Sequence, residues 1–176
     1  MPQSLHIAII GGGAAGFFAA IEAKRNFPHA DITIFEKNSK VLAKVKITGG
    51  GRCNLTNSFD EISDLKQAYP RGHKLMKRLF KRFDYQHAFD WFEENGVPLV
   101  TQEDQCVFPQ SQDSHSIIDC LVNTAKRLGV KIQCNHQLTA ITELEDERLL
   151  LDFKISKEKG NLSGASSASH PVSEIR

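Results

Sequence analysis

The sequence has few of the features that mark metal, membrane or nucleic-acid proteins. Its four cysteines are widely spaced and form no Cys-x-x-Cys pair, which excludes a zinc knuckle and a dithiol redox motif. Its seven histidines show no metal-ligand spacing, so no metal site is assigned. The net charge is only +1, so nothing global points to nucleic acid or to an anionic membrane, and neither is expected as a partner.

Long apolar runs are also lacking. The best candidate, Ile7–Ile21, falls short of the roughly 20 apolar residues that span a bilayer, and no Lys/Arg-rich start precedes it as in a signal peptide. The basic residues between 74 and 82 are followed at once by Asp90, Glu93 and Glu94, which favours a solvated surface. We therefore expect a cytoplasmic protein with reduced thiols.

Two glycine-rich segments lie in the first third of the chain. The first, Gly11–Gly16, follows the apolar run Leu5–Ile10 and leads into a helical pattern over Ala14–Asn26. A second strand is predicted at Asp31–Glu36. A strand, a helix and a strand within about 30 residues form a βαβ unit, so the sequence predicts an α/β fold with a parallel sheet.

The spacing of Gly11, Gly13 and Gly16 is Gly-x-Gly-x-x-Gly. It predicts a tight strand-to-helix turn, a backbone open to a pyrophosphate and close helix–strand packing, with the phosphates at the helix N-terminus. Glu36 ends the second strand, where an acceptor for ribose hydroxyls is expected, and its charge would repel the extra phosphate of NADP. These residues favour an adenine dinucleotide over a simple packing turn and leave NAD and FAD open.

The second segment, Thr48–Asn57, favours FAD. Gly49–Gly51 remove side chains over consecutive residues, so a ligand can approach the backbone closely. Arg52 supplies a fixed cation suited to phosphate or to flavin carbonyls. A simple NAD domain needs no such loop after its second strand, whereas extended FAD must be held far from its adenosine. The alternative interpretation is a glycine-rich hairpin turn with an exposed arginine.

Further elements are predicted along the rest of the chain. Helices are predicted at His73–Phe83, Tyr85–Asn95 and Ser114–Leu128, strands at Val97–Val100, Gln105–Phe108 and Val130–Cys134, and a hairpin at Gln137–Leu144 and Arg148–Ile155. Asp84 and Ser114 are predicted N-caps. Val41–Asn57 shows little periodic pattern and is predicted to be a loop. Residues 156–176 have too few large apolar side chains to order themselves and are predicted to be a disordered tail.

The motifs together resemble a known family. Gly11–Gly16, Glu36-Lys37 and the pattern Gly-Gly-Gly-Arg-Cys-Asn-x-Thr-Asn are similar to the YhiN/BaiN-like bacterial NAD(P)/FAD-dependent oxidoreductases, or aminoacetone-oxidase-family flavoproteins. The match runs from about Leu5 to about Phe153. It implies a Rossmann-like, glutathione-reductase-like FAD-binding domain over residues 1–155, with a parallel central sheet and a helical segment at 60–96. Family members run longer, so the domain is expected to be incomplete at the C-terminus.

The resemblance also implies which residues hold FAD. Those expected at the pyrophosphate are Gly11, Gly13, Ala14, Ala15 and Gly16, with Glu36 and Lys37 at the adenosine side. Those expected along the pyrophosphate, ribityl chain and flavin are Lys44, Thr48, Gly50, Gly51, Arg52, Cys53 and Asn54, with a backbone contact from Leu138 to adenine. Before the second segment the family has Gly-Arg-Lys, whereas this chain has Leu42-Ala43-Lys44 and keeps only the lysine.

The expected function is an FAD-dependent oxidoreductase of unknown substrate, with NAD(P)H or an organic amine as candidate electron donor. Arg52 is the candidate for stabilising negative charge on reduced flavin, and no catalytic acid or base is assigned. Cys53 is expected to line the cofactor rather than to exchange disulfides. The alternative is a truncated, non-catalytic module that binds FAD or another adenine dinucleotide.

Overall fold

The computed structural model describes residues 5–146, 148–156 and 167–172. The chain divides into two compact units, Met1–Ala43 with Leu121–Arg176, and Lys44–Cys120. The helices are α1 (Ala14–Asn26), α2 (Ala43–Ile47), α3 (Leu65–Ala68), α4 (His73–Leu79), α5 (Tyr85–Glu94) and α6 (His115–Arg127). The strands are β1 (His6–Ile10), β2 (Asp31–Phe35), β3 (Thr56–Asn57), β4 (Leu99–Thr101), β5 (Cys106–Pro109), β6 (Lys131–Gln133), β7 (His136–Glu143), β8 (Leu149–Ile155) and β9 (Ser167–Val172).

A parallel sheet underlies the first unit. Its strand order is β1-β2-β6, with Ile34 of β2 opposite Ile9 on one side and Ile132 on the other. Parallel neighbours need a crossover connection, which α1 supplies between β1 and β2. Phe17 and Ile21 of this helix are fully buried. The predicted strand–helix–strand unit and its parallel sheet are confirmed.

An antiparallel sheet of order β7-β8-β9 belongs to the same unit. Its β7–β8 pair confirms the predicted hairpin. Phe35, the last residue of β2, packs with Leu151 and Phe153 of β8, and the rings of Phe35 and Phe153 stack with their centroids 4.4 Å apart. This buried cluster fixes the end of β2 and therefore the residue that follows it, Glu36.

Strand β9 corrects part of the predicted tail. The sequence predicts disorder for 156–176, whereas Ser167–Val172 pairs antiparallel with β8. Composition misses such a strand because ladder hydrogen bonds to an existing strand require no large apolar side chain. Pro171 is compatible with the edge position of β9 in this sheet. The rest of the predicted tail beyond Ser156 lies outside the described residues, and the domain boundary at 155 stays a prediction.

The second unit contains an antiparallel sheet of order β3-β5-β4 and the helices α3, α4 and α5, which lie within the segment predicted to be helical. The carboxylate of Asp84 accepts a hydrogen bond from the backbone N–H of His87, and the His87 ring accepts one from the backbone N–H of Asp84. The predicted N-cap of α5 is therefore confirmed. No helix among the described residues is long and apolar enough to cross a bilayer.

Helix α4 is shorter than predicted, ending at Leu79 rather than at Phe83. Asp84 has an extended backbone (φ −115°, ψ −167°), so the chain leaves helical geometry before it caps α5. Leu75, Leu79 and Phe83 are 50%, 49% and 40% exposed. The predicted loop at Val41–Asn57 is also corrected, because it contains α2, a 3-10 turn and β3.

Candidate functional site

The fold requires two of the three spaced glycines of the first segment, Gly11 and Gly16. Gly11 has a φ of +107°, a backbone conformation that residues with a side chain rarely adopt. A Cβ at Gly16 would overlap the carbonyl oxygen of Gly11. Gly13 has neither constraint, since its φ is −88° and a Cβ there would meet no described atom within 4 Å. Nothing in the described fold demands glycine at position 13, so the open space before its backbone fits a ligand.

The same residue stands at the start of α1. Gly13 is the N-cap of this 13-residue helix and makes no side-chain cap hydrogen bond, although Ser, Asp or Asn would cap better. The first turn contains no acidic residue, while Lys24 and Arg25 lie in the last turn. The first N–H groups of a helix have no partner within the helix. An uncapped helix N-terminus with a positive dipole end is suited to a phosphate.

Glu36 stands at the end of β2, next to the first segment. Its Oε2 accepts a hydrogen bond from the backbone N–H of Gly12 (2.9 Å), and its Oε1 accepts from the backbone N–H (2.8 Å) and side-chain amide (2.7 Å) of Asn38. Partial burial would raise the pKa of Glu36, but these hydrogen bonds and the charge of Lys37 outweigh it and lower the pKa. A carboxylate has about four acceptor sites, so the charged form keeps one for a ribose hydroxyl.

Gly12 belongs to this arrangement although the glycine spacing does not single it out. A Cβ at Gly12 would lie 2.7 Å from Cγ1 of Val41 and 3.1 Å from Cβ of Glu36. Its carbonyl oxygen accepts a hydrogen bond from the N–H of Leu42 at 2.8 Å. In the sequence, only the run of three glycines at Gly11–Gly13 points to Gly12. The contact that requires a glycine there comes from Val41, which is distant in the chain.

The second glycine segment forms a 3-10 turn over Thr48–Gly51. Gly49, Gly50 and Gly51 have φ values of 57°, 69° and 89°, and Cys53 also lies in the left-handed region at 65°. The N–H of Cys53 donates to the carbonyl oxygen of Thr48 at 3.0 Å and closes the turn. Helical periodicity is absent here because consecutive residues adopt a conformation that only glycine readily supplies.

The guanidinium of Arg52 has three partners within the second unit. Its Cζ lies 4.2 Å from the centroid of the Phe108 ring. Nε donates to the carbonyl oxygen of Gly49, and Nη1 donates to the side-chain oxygen of Gln112, each at 3.2 Å. Arginine has five N–H donors, so these two bonds leave others for a ligand. The geometry supports the interpretation of Arg52 as a fixed cation.

Cys53 is not activated by its arginine neighbour. The residue is 4% exposed, and burial raises the pKa of its thiol. A thiol is a poor nucleophile unless it ionises, so this environment does not favour thiol–disulfide chemistry. The next residue, Asn54, is exposed and its side-chain amide donates to Sγ of Cys106 at 3.3 Å.

The remaining predicted residues lie in less specific settings. Lys37 and Lys44 are exposed. Leu138 pairs with Phe153 and packs against the cluster around Phe35, so its side chain serves the core. The other predicted site residues form two groups. The first unit contains Gly11, Gly13, Ala14, Ala15, Gly16 and Glu36, and the second unit contains Thr48, Gly50, Gly51, Arg52, Cys53 and Asn54. Within the described ranges, no group of three or more His, Cys, Asp or Glu residues is placed to hold a metal ion.

A family model described as the HI0933-like protein Rossmann domain matches residues 5–166. The chain belongs to this family. The HI0933-like family consists of FAD-dependent oxidoreductases, which confirms the resemblance carried by the two glycine segments. The family match also extends beyond Phe153, where the resemblance in the motifs ended.

The chain is also similar to curated proteins. The chain is 31% identical over 135 residues to a 3-dehydro-bile acid delta(4,6)-reductase of Clostridium scindens, covering 77% of this chain and 32% of the relative. It is 24% identical over 147 residues to a ribosomal RNA dihydrouridine synthase of Haemophilus influenzae, covering 84% of this chain and 35% of the relative. The chain thus spans about a third of the length of these relatives.

Solved structures show the same fold. A 3-ketosteroid-delta4-(5alpha)-dehydrogenase from Rhodococcus jostii matches with a TM-score of 0.65 at 14% identity, covering 98% of this chain and 45% of that chain. A flavocytochrome c3 fumarate reductase matches with a TM-score of 0.52 at 16% identity, covering 85% of this chain and 30% of that chain. The predicted fold class, a Rossmann-like FAD-binding domain with a parallel sheet, is confirmed.

Proposed function

We propose that this chain binds FAD and serves as the flavin-binding domain of an oxidoreductase. The observation that carries the proposal is Gly13, a glycine at the N-cap of α1 that neither its φ nor its packing requires. A ligand that approaches the backbone is the remaining physical reason for the missing side chain. Membership of a family of flavoproteins supports FAD as that ligand.

Each segment is assigned its own part of the cofactor. The N–H groups of Gly13, Ala14, Ala15 and Gly16 bind the pyrophosphate, and Glu36 binds the adenosine ribose, with Lys37 and a backbone contact from Leu138 on the adenosine side. Lys44 and the residues Thr48, Gly50, Gly51, Arg52, Cys53 and Asn54 bind the ribityl chain and the flavin ring. Arg52 stabilises the negative charge of the reduced flavin. When bound, FAD supplies hydride and electron transfer, while the protein orients the ring and tunes it through nearby charge.

The substrate is not assigned. The two curated relatives carry names that refer to very different substrates, a bile acid and ribosomal RNA, so their likeness selects neither for this chain. NAD(P)H and an organic amine are the candidate electron donors. We propose a cytoplasmic protein that uses a small-molecule substrate.

Purification and a point variant test the proposal. Wild-type protein should carry flavin absorbance, or take up FAD on reconstitution, and bleach when NAD(P)H or an amine is added. Gly13→Asp should bind FAD at least tenfold more weakly, a loss of about 1.4 kcal/mol, because a carboxylate would occupy the phosphate position. The apoprotein should remain equally stable, since aspartate is a favourable N-cap and the φ at position 13 accommodates it.

Asn26→Asp is the control for the added charge, because it places the same charge at the opposite end of α1, where it also removes the hydrogen bond from the Asn26 amide to the carbonyl oxygen of Glu22. Wild-type FAD affinity in Gly13→Asp would refute the placement of the pyrophosphate. Flavin that binds but is never reduced would support the alternative of a binding module without turnover. A protein that cannot be loaded with FAD but binds NAD would overturn the proposal.

A further inference from the structure

Strand β5 and the connection from it to α6 hold the second glycine segment at several points. The N–H of Leu55 donates to the carbonyl oxygen of Val107 at 2.8 Å. The N–H of Ser114 donates to the carbonyl oxygen of Gly51 at 2.8 Å, and its hydroxyl donates to that of Lys46 at 3.0 Å. The backbone N–H of Ser114 therefore holds the glycine segment, and its hydroxyl holds α2 directly before that segment, while its role as the N-cap of α6 stays a prediction. Ser114 is 1% exposed, so these bonds are shielded from water.

Two side chains contact Arg52, one from β5 and one from the connection that follows it. The ring of Phe108 lies against the guanidinium and is itself 3% exposed. Gln112 accepts a hydrogen bond from Nη1 of Arg52, while its side-chain amide donates to the carbonyl oxygen of Pro109 at 3.2 Å. Burial fixes Phe108, and a hydrogen bond fixes Gln112. Both contacts therefore restrict the conformers that Arg52 can adopt.

Phe108 is one of two neighbours that leave no room for a side chain at position 49. A Cβ at Gly49 would lie 2.7 Å from the backbone nitrogen of Asn54 and 2.9 Å from Cε1 of Phe108, so the turn itself and the ring both require glycine there. The carbonyl oxygen of Gly49 accepts the hydrogen bond from Nε of Arg52. The ring, the glycine and the arginine thus form one packed group, in which a change at Phe108 alters the direction of the guanidinium.

We infer that Phe108 and Gln112 are positioning residues that aim the Arg52 guanidinium and thereby set the affinity and reduction potential of the bound flavin. The inference rests on the proposed function, because it requires FAD within reach of Arg52. A long side chain that is already held in place loses less conformational entropy when it binds a ligand. A preorganised cation also stabilises charge that develops on the ligand without reorganising.

Gln112→Asn separates positioning from folding. Asparagine is one methylene shorter and loses the bond to Arg52, while it tolerates the φ of +56° at position 112 better than glutamine does. We expect unchanged thermal unfolding, roughly three- to tenfold weaker FAD binding, and a more negative flavin potential. A tenfold selective loss of affinity for the reduced form corresponds to about −30 mV for a two-electron couple.

Two more variants probe the same group. Gln112→Glu keeps the reach but places a carboxylate against Arg52, so the potential should become more negative than in Gln112→Asn. Phe108→Leu removes the aromatic face and should weaken FAD binding roughly two- to fivefold. Phe80→Leu is its control, because Phe80 is a partly buried ring of the same unit that packs with Phe59 and Tyr69. The exposed Gln110→Asn is the control for Gln112→Asn.

A double-mutant cycle with Arg52→Ala decides the outcome. Gln112→Asn should cause no further loss of FAD affinity or potential once Arg52 is removed, because its effect passes through Arg52. If Arg52→Ala alters both properties while Gln112→Asn and Phe108→Leu leave them unchanged, the positioning role is overturned and the proposed function stands. If Phe108→Leu does not fold, the Gln112 variants alone decide. Wild-type protein that binds no FAD overturns both proposals.

Discussion

Glu36 makes the first glycine segment sensitive to pH. Its charged form accepts the N–H of Gly12 and two bonds from Asn38, so its pKa lies below the ordinary value of 4.5. A carboxylate with a lowered folded-state pKa stabilises the fold above its unfolded-state pKa and loses that contribution as the pH falls through the folded-state pKa. Glu36→Gln should therefore reduce the fall in unfolding free energy below about pH 4.5, measured by urea denaturation at several pH values.

Glu145→Gln is the control for this experiment. Glu145 is exposed between β7 and β8, and its replacement removes the same charge from the same unit. The control should keep the pH profile of the wild type. Coincident profiles for wild type and Glu36→Gln would show that Glu36 contributes no pH-dependent stability.

Local sequence predicted some of these residues and missed others. Gly11, Gly16 and Glu36 follow from spacing, because a strand, a turn and a helix fix their positions relative to one another. Gln112 contacts Arg52 from a distant part of the chain, and Gly12 is required by Val41. Such contacts depend on which elements pack together, and no local pattern encodes them. The roles of these residues toward FAD stay predictions.

At the scale of elements, α5 depends on its N-cap. Asp84 accepts the N–H of His87, and that hydrogen bond is the largest of the interactions that lower the Asp84 pKa. Asp84→Ala should destabilise the protein by about 1 kcal/mol, as measured by urea unfolding at neutral pH, because an orphan N–H group at the helix start loses its acceptor. Asp84→Ser restores a capping oxygen without the charge and should recover most of the loss. Equal destabilisation by Ala and Ser would argue against capping as the cause.

Elements were predictable where local chemistry decides them. The helix Ala14–Asn26 was predicted with the bounds that the structure shows, and Asp84 was a recognisable cap. The return hydrogen bond of the capping box, from the N–H of Asp84 to the His87 ring, was not predictable, because a histidine stands where Glu or Gln is usual. Strand β9 was missed because its order comes from pairing with β8, a long-range contact that composition does not report.

For the whole molecule, family membership and local geometry answer different questions. The family match covers residues 5–166 and fixes the fold, while the curated relatives are about three times as long as the part they share with this chain. The fold positions Gly13 and Glu36 in one unit and Arg52 in the other. A single FAD molecule would therefore have to contact residues of both units to stabilise both, and neither glycine segment alone shows that it does.

Thermal unfolding in the presence of FAD measures whether the cofactor stabilises both units. At a free concentration of 100 times Kd, a ligand that binds only the folded state adds about 2.7 kcal/mol. For a protein of this size, that raises Tm by roughly 5–11 °C. Trp91, the single tryptophan, lies in the second unit and reports its unfolding by fluorescence, whereas circular dichroism reports both units.

We expect FAD to raise the Tm reported by both signals in the wild type, because the proposal assigns FAD contacts to the residues of each unit. Gly13→Asp should reduce the rise by about half or more at the same FAD concentration, because a tenfold weaker Kd leaves about 1.4 kcal/mol of the stabilisation, and Asn26→Asp should retain the full rise. A rise in the circular dichroism signal with no change in the Trp91 transition would confine FAD to the first unit. That result would contradict the role proposed for Arg52 and leave the first glycine segment as the FAD-binding element.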